Sequence, residues 1–127
     1  EPLALAAVLR AEAAEGRCLL VDCLTLWLSN LIFAGQAHRQ IEAGEAVICP
    51  TYHGEMTALL DTLPELPGRI ILVSNEVGWG LVPMERLSRF FTDEQGRLNQ
   101  RVAARCDQVT LVAAGLPLAL KTPGTAV

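Results

Sequence analysis

The feature that most constrains this chain is a set of short, unbroken apolar runs, two of which stop on acidic or polar residues. Cys18-Leu19-Leu20-Val21 runs into Asp22, and Ile70-Ile71-Leu72-Val73 runs into Ser74-Asn75-Glu76. A strand with one solvated face alternates apolar and polar side chains; a parallel strand covered on both faces does not. Each run therefore reads as a buried parallel strand, over Arg17–Asp22 and Arg69–Ser74, with Asp107–Ala113 as a third and Leu118–Leu120 as a short edge strand.

Helical periodicity fills the intervals. Leu5, Val8 and Leu9 share one face of a helix over Leu3–Ala14, away from Arg10, Glu12 and Glu15, and Gly16 stands where a left-handed C-cap belongs. Leu24–Phe33 is apolar almost all round, with only Thr25, Ser29 and Asn30 polar, so it reads as a deeply packed helix that stops near Gly35. Gln36–Tyr52, broken by Gly44 and Pro50, reads as a loop with a helical turn around Arg39–Ala43. Met56, Leu59, Leu60 and Leu63 define a further helix, ended by Pro64, Pro67 and Gly68. Pro83 opens a helical region to about Arg105, interrupted near Gly96, with Leu87, Phe90, Phe91, Leu98 and Val102 as its apolar side.

Helix and strand in alternation predict an α/β fold: three layers around a mostly parallel sheet with right-handed crossovers. Ligands in such sheets bind beyond the carboxyl ends of the strands, which is where Asp22 and Glu76 fall. At 127 residues the chain is of single-domain size, and 51% hydrophobic against 19% charged residues suffices to bury a core. The net charge of −4 argues against general nucleic-acid or membrane-surface binding, both of which need excess cationic side chains. Neither a bilayer-length apolar run nor a signal-like N-terminus is present, so a cytoplasmic location is the expectation. Cys18, Cys23, Cys49 and Cys106 have no zinc-like spacing to one another or to His38 and His53, and read as buried or idle thiols.

Leu19-Leu20-Val21-Asp22 has the form of the acidic strand that serves magnesium in phosphate-loop enzymes; equally, Asp22 is placed to cap the helix from Leu24. A longer pattern surrounds it. Val21-Asp22-Cys23-Leu24-Thr25-Leu26-Trp27-Leu28-Ser29-Asn30-Leu31 is followed by Val73-Ser74-Asn75-Glu76-Val77-Gly78 and Gly80-Leu81-Val82-Pro83. Gly96-Arg97-Leu98-Asn99-Gln100 and Ala114-Gly115-Leu116-Pro117 come next, with Lys121 shortly after. From Glu1 to Lys121, these ordered blocks closely resemble the bifunctional adenosylcobinamide kinase and adenosylcobinamide-phosphate guanylyltransferase family.

The resemblance implies a RecA-like phosphate-loop fold, of which these residues form the C-terminal part of a single domain. It also implies cobalamin biosynthesis: ATP- or GTP-dependent phosphorylation of adenosylcobinamide, then GMP transfer from GTP to give adenosylcobinamide-GDP. The second step passes through a histidine adduct. Mg2+ as cofactor and a homo-oligomer, a trimer, follow from the same resemblance, and the apolar Leu24–Phe33 helix suits a subunit contact. The family's Gly-rich loop ending in Gly-Lys-Ser and its guanylylated histidine have no counterpart in these residues. Lys121, the single lysine against nine arginines, lacks the preceding glycines, and neither His38 nor His53 has a matching context.

Residue by residue, Asp22 matches the family's nucleotide- or magnesium-contacting acid, and Glu1 stands near another acid that approaches the nucleotide. Glu76 either orients magnesium or accepts a proton as a catalytic base, or else it holds the amides of the glycine-bearing loop behind it. Asn75 accompanies it. Asn99 and Gln100 either read a base, ribose or corrinoid amide or tie the long helix to a loop, the tie being favoured for Gln100. Arg97, Arg101 and Arg105 form a row four apart, with Asp93 placed to compensate, and read as a phosphate or subunit contact or as a solvated face. Trp27 reads as core, and Trp79 as an exposed ring near the site. Two other functions stay open: a non-catalytic corrinoid-binding or assembly module, and another phosphate-loop small-molecule kinase.

Overall fold

The structure, a computed structural model, describes residues 2–124. In chain order the elements are α1 (Leu5–Glu12), β1 (Cys18–Asp22), α2 (Leu24–Phe33), α3 (Ala37–Glu42), α4 (Pro50–Thr62), β2 (Arg69–Val73), α5 (Arg86–Arg105), β3 (Val109–Ala113) and β4 (Leu116–Lys121). Single 3-10 turns follow α4 at Leu63–Glu65 and β2 at Val77–Trp79. The α/β class is as expected, and Glu1 lies outside the described residues.

β1 and β2 pair in parallel, in a register that runs from Cys18 opposite Arg69 to Asp22 opposite Val73. Their helical crossover brings both carboxyl ends to one edge. At the opposite end Arg69 donates its amide to the Arg17 carbonyl oxygen at 2.9 Å. Gly68 sits there with φ +78°, so close that a Cβ would stand 2.3 Å from the Ala14 carbonyl oxygen and 2.5 Å from that of Arg17. Only glycine fits such a left-handed, backbone-crowded position.

The third strand departs from expectation. β3 does not extend the parallel sheet; it pairs antiparallel with β4 in a separate two-stranded sheet. The reason is local: Ala114 and Gly115 have φ of +52° and +75°, the two-residue turn that matches strand twist and folds a run back on itself. β4 therefore spans Leu116–Lys121 rather than Leu118–Leu120, and Pro117 is tolerated because the strand lies at an edge.

Helices cover one face of the β1–β2 sheet. Leu28, Leu31 and Leu59 are fully buried at the centre, with Trp27, Leu98 and Val102 beside them, and Leu19, Val21, Ile70 and Leu72 pack onto this cluster from the strands. The other face carries Leu20, Ile71 and Val73, 66%, 42% and 39% exposed. Among the described residues helices thus lie on one face of this sheet. α2 turns its apolar surface into this core through Leu24, Trp27, Leu28, Leu31 and Ile32, and of its large side chains Leu26 and Phe33 are exposed.

Other boundaries also differ from the periodicity. α1 ends at Glu12, and Gly16, at φ +76°, serves the turn into β1 instead of capping the helix. Gln36–Tyr52 holds α3 and the first turn of α4. Pro50 opens α4 at its first position, where its missing amide hydrogen is not needed. α5 starts at Arg86, not Pro83, and runs unbroken through Gly96. A mid-helix glycine costs only about 1 kcal/mol, which burial of Leu98 and Val102 exceeds.

Candidate functional site

The carboxyl edge of β1 and β2 gathers most of the expected residues. Asp22 closes β1 with an exposed side chain, and among the described residues no hydrogen bond or ion pair engages its carboxylate. The cap of α2 is Cys23, whose Sγ accepts from the Leu26 amide at 3.4 Å; Asp22 is not the cap. A cavity of about 290 Å³ opens beside β1, with Glu12, Leu20, Asp22 and Asn30 in its lining.

Beyond β2 the chain enters a polar network. Asn75 donates through Nδ2 to Thr25 Oγ1 at 2.9 Å, tying the end of β2 to the first turn of α2. Ser74 Oγ donates to Asn99 Oδ1 at 2.5 Å. Gln95 Nε2 donates to Ser74 Oγ at 2.8 Å and to Asn99 Oδ1 at 3.0 Å. Asn99 Nδ2 in turn donates to the Asn75 carbonyl oxygen at 2.9 Å and to Glu76 Oε1 at 3.4 Å. Asn99 therefore ties helix to loop, as one of its two expected readings held. Gln100 is exposed and has no part in the tie; the residue that does is Gln95, fully buried one helical turn before Asn99.

Asn75, Glu76 and Asn99 thus form one cluster, with Asp22 on the same edge through the Thr25 link. Ser74, Thr25 and Gln95 belong to it without having been singled out from sequence. The only available signal was the i, i+4 spacing of Gln95 and Asn99, which puts both amides on one helix face. The Gln95 carbonyl oxygen Oε1 is buried without a hydrogen-bond partner among the described residues.

After Glu76 the chain exposes a run of large apolar side chains: Trp79 is 72% exposed, and Leu81, Val82 and Met84 are more so. Trp79 is thus the exposed ring next to the site that its flanking glycines predicted, and Trp27 is core.

The arginine row divides. Arg97 pairs directly with Glu94 at 2.5 Å, which raises its pKa further, and the Asp93 charge adds to that as a smaller contribution. Glu94 also accepts from Tyr52 Oη at 2.7 Å; burial, then this carboxylate, pushes the Tyr52 hydroxyl far above its ordinary range. Arg105 is exposed, as a solvated face requires, and is also tethered: its Nε donates to the Leu60 carbonyl oxygen at 2.7 Å and its Nη1 to that of Arg101 at 3.0 Å. Lys121 Nζ donates to the Ala103 carbonyl oxygen at 3.0 Å, so the single lysine closes the C-terminus of α5. All four cysteines are free; Cys49 is buried, Cys18 is exposed, and burial pushes the Cys106 thiol up.

No group of three or more His, Cys, Asp or Glu side chains converges among the described residues. Mg2+, the ion expected from the resemblance, keeps several waters and takes one or two carboxylates plus substrate phosphates. The Asp22 carboxylate, exposed and unengaged at the end of β1, has the donor chemistry that such a site takes.

Comparison with known proteins identifies the lineage. The bifunctional adenosylcobalamin biosynthesis protein CobP of Pseudomonas aeruginosa is 56% identical over 121 residues, covering 95% of this chain and 63% of that protein. The bifunctional adenosylcobalamin biosynthesis proteins CobU of Salmonella typhimurium and Escherichia coli are 36% and 30% identical over 115 residues, in each case 90% of this chain and 64% of the relative. The chain thus spans slightly under two thirds of the length of these curated relatives. Residues 1–120 match the family described as cobinamide kinase / cobinamide phosphate guanyltransferase. With that match over nearly its whole length, the chain belongs to the cobinamide kinase / cobinamide phosphate guanyltransferase family.

Proposed function

We propose that this chain supplies the strand-end catalytic edge of a cobalamin-biosynthetic enzyme that phosphorylates adenosylcobinamide with ATP or GTP. The same enzyme then transfers GMP from GTP to adenosylcobinamide phosphate, forming adenosylcobinamide-GDP. The observation that carries this reading is the pairing at one sheet edge of an unengaged carboxylate, Asp22, with a tethered polar cluster ending on Glu76, in a chain of this family.

In this reading Asp22 holds hydrated Mg2+ beside the nucleotide phosphates, and Glu76 accepts the proton of the attacking hydroxyl. Asn75 and Asn99 line the nucleotide side, and Glu1 approaches it. Bound Mg2+ would offset phosphate charge. The chain's own residues position and orient, which is most of what phosphoryl transfer asks of a protein.

The wider architecture in this proposal is a single RecA-like domain of three layers, of which these residues are the C-terminal part. Exposure of Leu20, Ile71 and Val73 on one sheet face supports a further layer there. Lys121 is occupied with α5, so phosphate gripping and the histidine nucleophile are assigned to the part of the relatives that this chain does not span. A cytoplasmic homo-oligomer, a trimer, belongs to the same proposal, supported by the exposed Trp79–Met84 run and by the absence of any described helix long and apolar enough to cross a membrane.

The test is incubation of the full gene product with cobinamide and labelled ATP or GTP. Labelled cobinamide phosphate and an acid-labile, base-stable GMP adduct are expected. Failure to phosphorylate cobinamide, with other alcohols accepted, would overturn the substrate assignment; no transfer to any acceptor would leave a binding or assembly module.

A further inference from the structure

Donor and acceptor bookkeeping in the cluster behind Glu76 leaves only one arrangement. A carboxamide offers two N–H donors on one side and an oxygen with two lone pairs on the other. Asn99 Oδ1 receives two donors, from Ser74 Oγ at 2.5 Å and Gln95 Nε2 at 3.0 Å, so both of its lone pairs are used. Its Nδ2 faces two acceptors, the Asn75 carbonyl oxygen at 2.9 Å and Glu76 Oε1 at 3.4 Å. Turning the amide over would set its oxygen against both acceptors and its N–H groups against both donors. Gln95 cannot turn either without facing its own oxygen to Asn99 Oδ1. It sits at zero exposure, and its Oε1 remains without a partner among the described residues, so its place is explained by what its Nε2 does.

We infer that Gln95 and Ser74 are positioning residues that fix the direction of the Asn99 amide and thereby present an N–H to Glu76 from behind. Glu76 is itself exposed on the edge, and Asn99 is the side chain that anchors it. An exposed carboxylate with no such anchor samples several rotamers; one held from α5 through Oε1 leaves its second oxygen without a hydrogen-bond partner among the described residues. The inference rests on the proposed role of Glu76 and deepens it by naming the residues that prepare that group.

The test uses steady-state kinetics of the full gene product. Gln95→Met keeps the side-chain volume and removes both donors; it is expected to lower kcat about tenfold or more, since small misplacements of a reacting group cost that much, with nucleotide KM within about twofold. Ser74→Ala is expected to do the same, and Ser74→Thr, which restores the hydroxyl, to recover most of the rate. Asn99→Asp, which sets an oxygen against Glu76, is expected to lose about a hundredfold. A lowered melting temperature with kcat unchanged for Gln95→Met and Ser74→Ala would make the cluster purely structural and overturn the inference. Should Gln95→Met fail to fold, the wild-type protein decides: the Asn99 side-chain amide protons are expected to be protected from solvent exchange, and rapid exchange would overturn it. Glu76→Gln separates the two claims. If it is fully active, the reading of Glu76 falls; if it is inactive while the Gln95 and Ser74 variants are active, only this inference falls.

Discussion

Asn75 Nδ2 lies 2.9 Å from Thr25 Oγ1, and this bond joins the carboxyl end of β2 to the helix that leaves β1. It is the side-chain link that holds the Asp22 and Glu76 halves of the edge together. A double-mutant cycle with Thr25→Val and Asn75→Ala should give a coupling energy of about 0.5–1.5 kcal/mol in denaturant unfolding, the usual worth of one such bond. Additive effects of the two changes would show that the bond contributes nothing.

Asp22→Asn should separate function from stability. The carboxylate has no described partner to lose, so unfolding free energy should move by no more than about 0.5 kcal/mol. Magnesium-dependent turnover of the full gene product should fall about a hundredfold, as when a charged ligand leaves a phosphoryl-transfer site. Unchanged turnover would return Asp22 to the role of a plain strand end.

The Tyr52–Glu94 bond predicts a pH signature. A raised folded-state pKa means that the folded protein keeps the Tyr52 proton after the unfolded chain has released it. The corresponding stability is fully present below the ordinary tyrosine pKa of about 10 and declines above it. Tyr52→Phe should cost about 1.5–3 kcal/mol near neutrality, as for a bond to a charged acceptor. It should also flatten the loss of stability above pH about 10 relative to wild type, as read by urea unfolding across that range. Parallel curves would refute the assignment.

Lys121→Met removes the donor that closes α5 while keeping most of the side-chain length. About 1 kcal/mol of stability should be lost, and amide exchange should quicken in β3 and β4 more than in β1 and β2. Uniform quickening would mean that the hairpin opens only with the whole fold.

Gly68→Ala should be the most damaging of these changes. Added to the strain of φ +78°, the new methyl carbon meets two backbone carbonyl oxygens that no rotamer change can move. A loss of about 3 kcal/mol or more is expected, measured by thermal or denaturant unfolding. Gly16→Ala, where φ is also positive but the space is open, should cost only about 1 kcal/mol.

The sequence was legible where a pattern had one physical meaning. Unbroken apolar runs marked β1 and β2 as parallel strands, although among the described residues only one face of them is covered, and the polar residues behind them marked the edge that holds Asp22 and Glu76. It was illegible where two forces competed. Gly96 suggested a break that the burial of Leu98 and Val102 overrides, and Pro50 suggested an end where it serves as a beginning. The β3 run resembled a third parallel strand, because pairing is decided by the Ala114-Gly115 turn and not by the run itself. Gln95 went unnoticed because nothing in a linear sequence distinguishes a buried amide on a helix from a solvated one; its part appears only when Ser74 arrives beside it from β2.

The Gly68 contact also sets the mechanical character of the sheet. Where the strands enter, backbone touches backbone with room for a hydrogen atom and nothing larger, and that end behaves as a weld. Where they leave, the halves meet through side-chain amide and hydroxyl groups. The sheet is therefore closed by main chain where its strands enter and by side chains where they leave, and the candidate chemistry sits at the end that side chains hold.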